Sequence, residues 1–177
     1  MSNWNKVFKP IVVLCAICVV VTAALAATNQ ATAPVIAAAT AEAQRQARME
    51  LLPDADNFTE VTGIQVENVS AIYTADNGAG VVITSTAKGY GGTMTVMTAF
   101  TPDGTIRQLK VTENQETKGI GSNVASSASY WEKYAGLSAE KALVLKTDVD
   151  AYSGATISSK ALNAAVNSAI EAYNMIP

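Results

Sequence analysis

An uninterrupted apolar run limits this chain more than any other feature. Ile11 to Ala27 holds 17 residues without a charge or a proline, and Thr22 is its only hydroxyl. That length sits at the short end of the roughly 17–25 residues that span a bilayer as a helix. Val7 and Phe8 extend the run with Lys9 snorkelling to the surface, and Trp4 stands where an interfacial aromatic belongs. Lys6 and Lys9 precede the run, and no basic residue follows it until Arg45. The positive-inside bias therefore places the N-terminus in the cytoplasm, at the cell membrane, and residues 28–177 outside. A cleaved signal peptide competes with this reading, because Ala24-Leu25-Ala26 resembles a cleavage site. The run exceeds the ~7–15 residues of a usual signal core, which favours a retained anchor. Both readings export the rest of the chain.

The remainder reads as one modest domain with an ordinary supply of core residues. It holds 10 basic and 15 acidic residues, a net charge of −5. A basic surface able to neutralise phosphates is missing, which argues against nucleic acid as a partner. The chain has no histidine. Histidine metal sites, a Ser-His-Asp triad and bis-histidine haem ligation are thereby excluded, and no metal site is expected. Both cysteines, Cys15 and Cys18, lie inside the apolar run, so neither staples the exported domain. Their Cys-x-x-Cys spacing fits a thiol redox pair, an iron–sulfur ligand pair, or simply two small apolar residues on one helix face.

Four segments follow: a cytoplasmic tail (1–10), a transmembrane helix (11–27), a linker and helix (28–59), and the exported domain (60–177). Residues 28–33 read as a short polar linker. Pro34 suits a first helical turn, and Val35 to Leu52 are mostly strong helix formers ended by Pro53-Asp54. From residue 60 the pattern changes to period two. Strands are expected at 61–67, 69–75, 80–86, 93–100 and 105–113, with turns at Asp76-Asn77-Gly78 and Pro102-Asp103-Gly104. Ile106, Leu109 and Val111 alternate imperfectly, which signals a bulge. Short helices are expected at 123–134 and 138–144, the second capped by Ser138, and an edge strand at 144–149. Ser158 to Tyr173 is an amphipathic helix with Ala161, Leu162, Ala165, Val166, Ala169, Ile170 and Tyr173 on its inner stripe. The fold class is α+β, an antiparallel sheet flanked by helices.

Chemistry concentrates in Asp150-Ala151-Tyr152-Ser153-Gly154-Ala155-Thr156-Ile157-Ser158. Small residues lead into a helix start, where free N–H groups and the positive end of the helix dipole favour an anion. A plain helix cap explains the same residues.

The motif Asp-x-x-Ser-Gly-Ala-Thr-x-Ser resembles the flavinylation motif of the FMN-binding domain family. That family includes the G subunit of the Rnf ion-translocating electron-transport complex and the C subunit of the Na+-translocating NADH:quinone reductase. Two more segments carry the likeness in order. Lys88-Gly89-Tyr90-Gly91-Gly92, a strand, and Asp103-Gly104-Thr105-Ile106 match a Gly-Tyr-Gly-Gly and hairpin pattern. Glu116-Thr117-Lys118-Gly119-Ile120-Gly121 matches a Glu-Thr-Pro-Gly-Leu-Gly loop, with Lys118 in place of Pro. The likeness covers residues 80–173, and the single N-terminal span agrees with it.

The resemblance implies FMN held covalently, through a phosphoester to Thr156. It also implies that Ser153, Gly154 and Ala155 shape the phosphate turn. Glu116, Thr117, Lys118 and Gly119 would approach the flavin from the other loop, and Gly91 and Gly92 would permit close backbone approach. Asp150 would hold the turn or be read by a maturation enzyme. Plainer alternatives stand beside these: a simple turn at Gly91-Gly92, a solvated loop at Glu116 and Lys118, and packing roles for Tyr90 and Trp131. A threonine hydroxyl needs activation, and no histidine is present to supply it. The resemblance accordingly implies a separate Mg2+-dependent flavin transferase with FAD as donor. The implied role is a non-catalytic electron-transfer subunit among the other membrane subunits of an Rnf-type ion-translocating ferredoxin:NAD oxidoreductase. A free-standing flavinylated carrier and a cofactor-free anchored module are the alternatives.

Overall fold

A computed structural model describes residues 8–119 and 121–176. Trp4, Lys6 and Val7, with the interfacial and basic flank expected there, lie outside the described residues, as does Ile120. The chain divides after Ala43 into two compact units.

The described residues of the first unit are helical. Helix α1 runs Lys9–Leu51 without a break and includes Pro34. The polar linker expected at 28–33 is therefore helix instead. The hydroxyls of Thr28 and Thr32 donate to the carbonyls of Ala24 and Thr28, at 2.9 and 3.0 Å, so both polar side chains are satisfied within the helix. Pro34 removes only one backbone donor from the ladder. Among the described residues α1 is the one helix long and apolar enough to cross a membrane, by length and composition. Cys15 and Cys18 are free and exposed on it.

The second unit is built on a five-stranded antiparallel meander: β1 Phe58–Glu60, β2 Val69–Ala75, β3 Val81–Lys88, β4 Thr93–Phe100 and β5 Ile106–Glu113, paired in chain order. Alternation along these strands supplies two apolar faces. Ile83, Met94, Val96, Phe100 and Leu109 face one core with Leu162, Val166 and Ile170 of helix α4, Thr156–Tyr173. The Ser85 hydroxyl donates to the Ala165 carbonyl at 2.8 Å and ties α4 to β3. Val82, Met97 and Ala99 face the other core with Ala47, Leu51 and Leu52 from the end of α1. Arg48 completes that face, its guanidinium 4.0 Å from the centroid of the Tyr73 ring. The α+β class expected from the sequence holds.

The β2–β3 turn and the expected bulge are found. Phe100 pairs with Ile106 but Ala99 with Gln108, which leaves Arg107 as the extra residue. In the β4–β5 hairpin Gly104 adopts φ +79°, a conformation that favours glycine. The Asp103 carboxyl accepts from the hydroxyls of Thr101 and Thr105. These bonds, Thr101 first, hold its pKa below the usual carboxylate range. A lowered folded pKa means that the support is present above the unfolded pKa and is lost as pH falls through the folded one. Asp103→Asn is expected to make the acid-side decline of thermal stability shallower, measured by melting temperature across acidic pH.

Four expectations are corrected. Residues 61–67 form no strand. The ladder ends where Val61 N–H donates to the Ile72 carbonyl, and Gly63 then turns at φ +96°. Val61, Ile64 and Val66 still pack on the core, which is why the segment carried an alternating pattern. Residues 138–144 are not helical, because tertiary partners take their backbone groups. Ala139 N–H donates to the Gly104 carbonyl and Leu143 N–H to Asn167 Oδ1, while Asn163 donates to the Leu143 carbonyl. Residues 144–149 close a tight turn with Lys146 at φ +74°, not an edge strand. The expected 123–134 helix is divided into α2 Ser122–Ala125, α3 Ala128–Trp131 and a 3-10 turn, Glu132–Tyr134.

Candidate functional site

Helix α4 begins at Thr156 with no side-chain cap. The turn before it is held from behind. Ala155 N–H donates to the Tyr152 carbonyl at 3.0 Å, and Gly154 takes φ +81°. The buried Ser159 hydroxyl accepts from Tyr152 N–H and donates to the Ala155 carbonyl, each at 3.0 Å. Tyr130 Oη donates to the Asp150 carbonyl at 3.0 Å. Ala155 is buried, whereas Ser153, Gly154 and Thr156 face outward. Asp150 thus serves the turn through its backbone.

Glu116 is 9% exposed and is not a solvated loop residue. One carboxyl oxygen accepts from Tyr90 N–H at 2.9 Å, and the other from the Ser158 hydroxyl at 2.9 Å. A single side chain thereby ties together the Gly-Tyr-Gly-Gly loop, its own loop and the start of α4. The glycines around it are explained by contact. A Cβ on Gly89 or Gly121 would fall 1.9 Å from a Glu116 carboxyl oxygen. One on Gly91 would fall 2.2 Å from the Gln115 carbonyl oxygen, and one on Gly92 2.5 Å from Gln115 Oε1. Gly91 and Gly92 do allow close approach, and what approaches is the residue 115 backbone and side chain.

The result is an open cleft of about 310 Å³ lined by Tyr90, Gly154, Ala155, Thr156, Ile157 and Ser158. Its walls are apolar and unusually bare, with Tyr90 70% and Ile157 54% exposed. The Thr156 hydroxyl has no hydrogen-bond partner among the described residues. An anion at this point would meet the first-turn N–H groups and the positive helix end. A planar aromatic group attached there would find Tyr90 and Ile157 beside it. The residues fit a phosphate-linked aromatic ligand such as FMN.

Of the residues singled out in the sequence, Gly154, Ala155 and Thr156 line the cleft, with exposed Ser153 next to them. Glu116 lies beneath as a tie. Thr117, Lys118 and Gly119 are exposed but not among the lining residues. Their turn organises α2, with Gly119 N–H donating to Ser122 Oγ at 2.9 Å. Trp131 packs against the core and donates to the Val124 carbonyl at 2.8 Å. Tyr90 is a cleft wall and not a packing residue. Sequence reasoning counted Ser158 and Ser159 only as hydroxyls of a possible anion site, and it did not single out Ile157. The Ser-Ser pair at the second and third helical positions after Thr156 was visible as hydroxyls, but nothing marked either as a partner of Glu116 or of the turn.

A family model for the FMN-binding domain matches residues 89–171, and one for the RnfG N-terminal region matches residues 1–51. Three curated relatives align over nearly their whole length. The G subunit of the Na(+)-translocating ferredoxin:NAD(+) oxidoreductase complex of Acetobacterium woodii is 30% identical over 97% of this chain and 93% of its own. The G subunit of the proton-translocating ferredoxin:NAD(+) oxidoreductase complex of Clostridium ljungdahlii is 30% identical over 96% and 93%. The G subunit of the ion-translocating oxidoreductase complex of Methanosarcina acetivorans is 31% identical over 97% and 96%. Among solved structures, Shewanella oneidensis NqrC is 24% identical over 64% of each chain, with a TM-score of 0.48.

Proposed function

Because this chain belongs to the RnfG family, the G subunits of Rnf-type ion-translocating oxidoreductase complexes, we propose that it is a membrane-anchored electron-transfer subunit with FMN covalently bound at Thr156. The observation that carries this reading is the cleft itself. An outward hydroxyl without a partner stands at an uncapped helix start, in a cleft that exposed Tyr90 and Ile157 also line. Bound FMN supplies reversible electron uptake on its ring system, and the protein supplies attachment, position and electrostatics.

Each residue has a part in holding the group. Thr156 contributes the ester oxygen. The Ser153-Gly154-Ala155 turn, braced by Ser159, leaves the first N–H groups of α4 open to the phosphate. Tyr90 and Ile157, exposed in the same cleft, would offer the ring apolar contact. Glu116 fixes the distance between the Tyr90 loop and α4 and acts as a positioning residue. Thr117, Lys118 and Gly119 border the site from the neighbouring turn. No histidine is present to activate Thr156, so attachment falls to a flavin transferase with FAD as donor.

Helix α1 anchors the protein, with the N-terminus cytoplasmic and the flavin domain outside, among the other membrane subunits of the complex. Covalent attachment suits that location, where a dissociated flavin would be lost. The test is denaturing electrophoresis of the chain co-expressed with the transferase. Flavin fluorescence that migrates with the chain supports the reading; a colourless band beside an active transferase contradicts it.

A further inference from the structure

Arg48 is a buried cation on the sheet face that α4 does not cover. It belongs to the second unit and stands in the last turn of α1. Only 9% of it is exposed. Its guanidinium lies 4.0 Å from the centroid of the Tyr73 ring and 6.0 Å from that of Phe58. Among the described residues its side chain has neither a hydrogen-bond acceptor nor an ion-pair partner. Nε is sealed from solvent, whereas the two Nη atoms keep contact with it. The β5 cations beside the same helix end are paired, Lys110 with Glu50 and Arg107 with Asp54. Glu60 stands opposite Tyr73 in the β1–β2 ladder, hence on the same face, and still makes no ion pair with Arg48. A buried charge is ordinarily paired, because desolvation without an acceptor is costly. The rings and the negative end of the helix dipole offset part of that cost without accepting a hydrogen bond.

We infer that Arg48 anchors a carboxylate of another subunit of the complex, an aspartate, a glutamate or a chain terminus, at the rim formed by Phe58 and Tyr73. The inference rests on membership of a multi-subunit complex and not on the covalent flavin. A guanidinium binds a carboxylate through two parallel N–H bonds, and the open Nη atoms are the donors left for them. Arginine and aromatic side chains are the residues enriched at the desolvated centre of protein interfaces. That setting favours a protein carboxylate over a lipid phosphate.

The test compares wild type, Arg48→Met and Arg48→Lys as tagged full-length chains in membranes that carry the other subunits. Flavin loading and melting temperature are measured on each chain first. Arg48→Met keeps the apolar stem and removes the charge. It is expected to load flavin as wild type does, and to lose the other subunits about tenfold faster when the detergent-solubilised complex is washed. Arg48→Lys keeps the charge without the fork and is expected to lie between the two. Wild-type retention by Arg48→Met overturns the inference. So does an equal fall in melting temperature of the isolated chain in Arg48→Met and Glu60→Gln, which gives Arg48 an internal partner. An anionic phospholipid held by wild type and lost from Arg48→Met, with the subunits retained, assigns the anion to a lipid and overturns the inference too. If Arg48→Met does not fold, hydrogen exchange of the wild-type chain decides. Phe58–Glu60 protected in the complex relative to the isolated chain supports the inference, and equal exchange overturns it. A wild-type chain without flavin that still loses its partners on Arg48→Met overturns the covalent reading alone.

Discussion

Replacing Thr156 with alanine is expected to remove all denaturation-resistant flavin from the chain while leaving the fold intact. Thr156 is exposed, its hydroxyl makes no hydrogen bond among the described residues, and it stands at the first helical position of α4. Surface changes of this kind usually move stability by no more than about 0.5 kcal/mol. The loss of flavin therefore reports attachment and not unfolding. In membranes that carry the assembled complex, ferredoxin:NAD electron transfer is expected to fall to the level of membranes lacking this chain. Unchanged turnover in the alanine variant would remove this flavin from the electron path.

The second large effect is expected at Glu116. Its carboxyl accepts from Tyr90 N–H and from the Ser158 hydroxyl, and it is almost wholly buried. Glu116→Ala leaves both donors without an acceptor and opens space between two loops and the start of α4. A loss of about 3 kcal/mol follows from two such bonds, seen as a fall in melting temperature of roughly 10 °C. Glu116→Gln keeps one acceptor and can donate to Ser158, so a loss of only about 1 kcal/mol is expected. The two variants separate a positioning role from simple bulk, because flavinylation should follow the tie and recover with glutamine. Equal flavin loading of the alanine variant and wild type would show that the cleft forms without the tie.

The sequence disclosed more of the site than of the frame around it. The Gly-Tyr-Gly-Gly, Glu-Thr-Lys-Gly and Ser-Gly-Ala-Thr segments were legible as motifs because, taken together and in this order, they resemble those of the FMN-binding domain family. What tied them could not be read, since Glu116 and Ser158 are 42 residues apart. The four long strands and α4 were legible from their periods. Residues 61–67 misled because Val61, Ile64 and Val66 pack on the core without a ladder partner. Residues 138–144 misled because Asn163 and Asn167 on α4 take the backbone groups a helix would have used. The linker at 28–33 misled because threonine hydroxyls can bond back into a helix that is already growing. Each error came from a partner distant in sequence, or from a continuation that local composition does not report.

The central claim is the bond at Thr156, and site-resolved mass spectrometry of one tryptic peptide tests it most directly. Cleavage after Lys146 and Lys160 releases a peptide that contains Ser153, Thr156, Ser158 and Ser159. From chain matured with the transferase, this peptide is expected to carry the mass of FMN less one water, with fragmentation placing it on Thr156. An unmodified peptide, or a flavin on one of the serines, would contradict the claim.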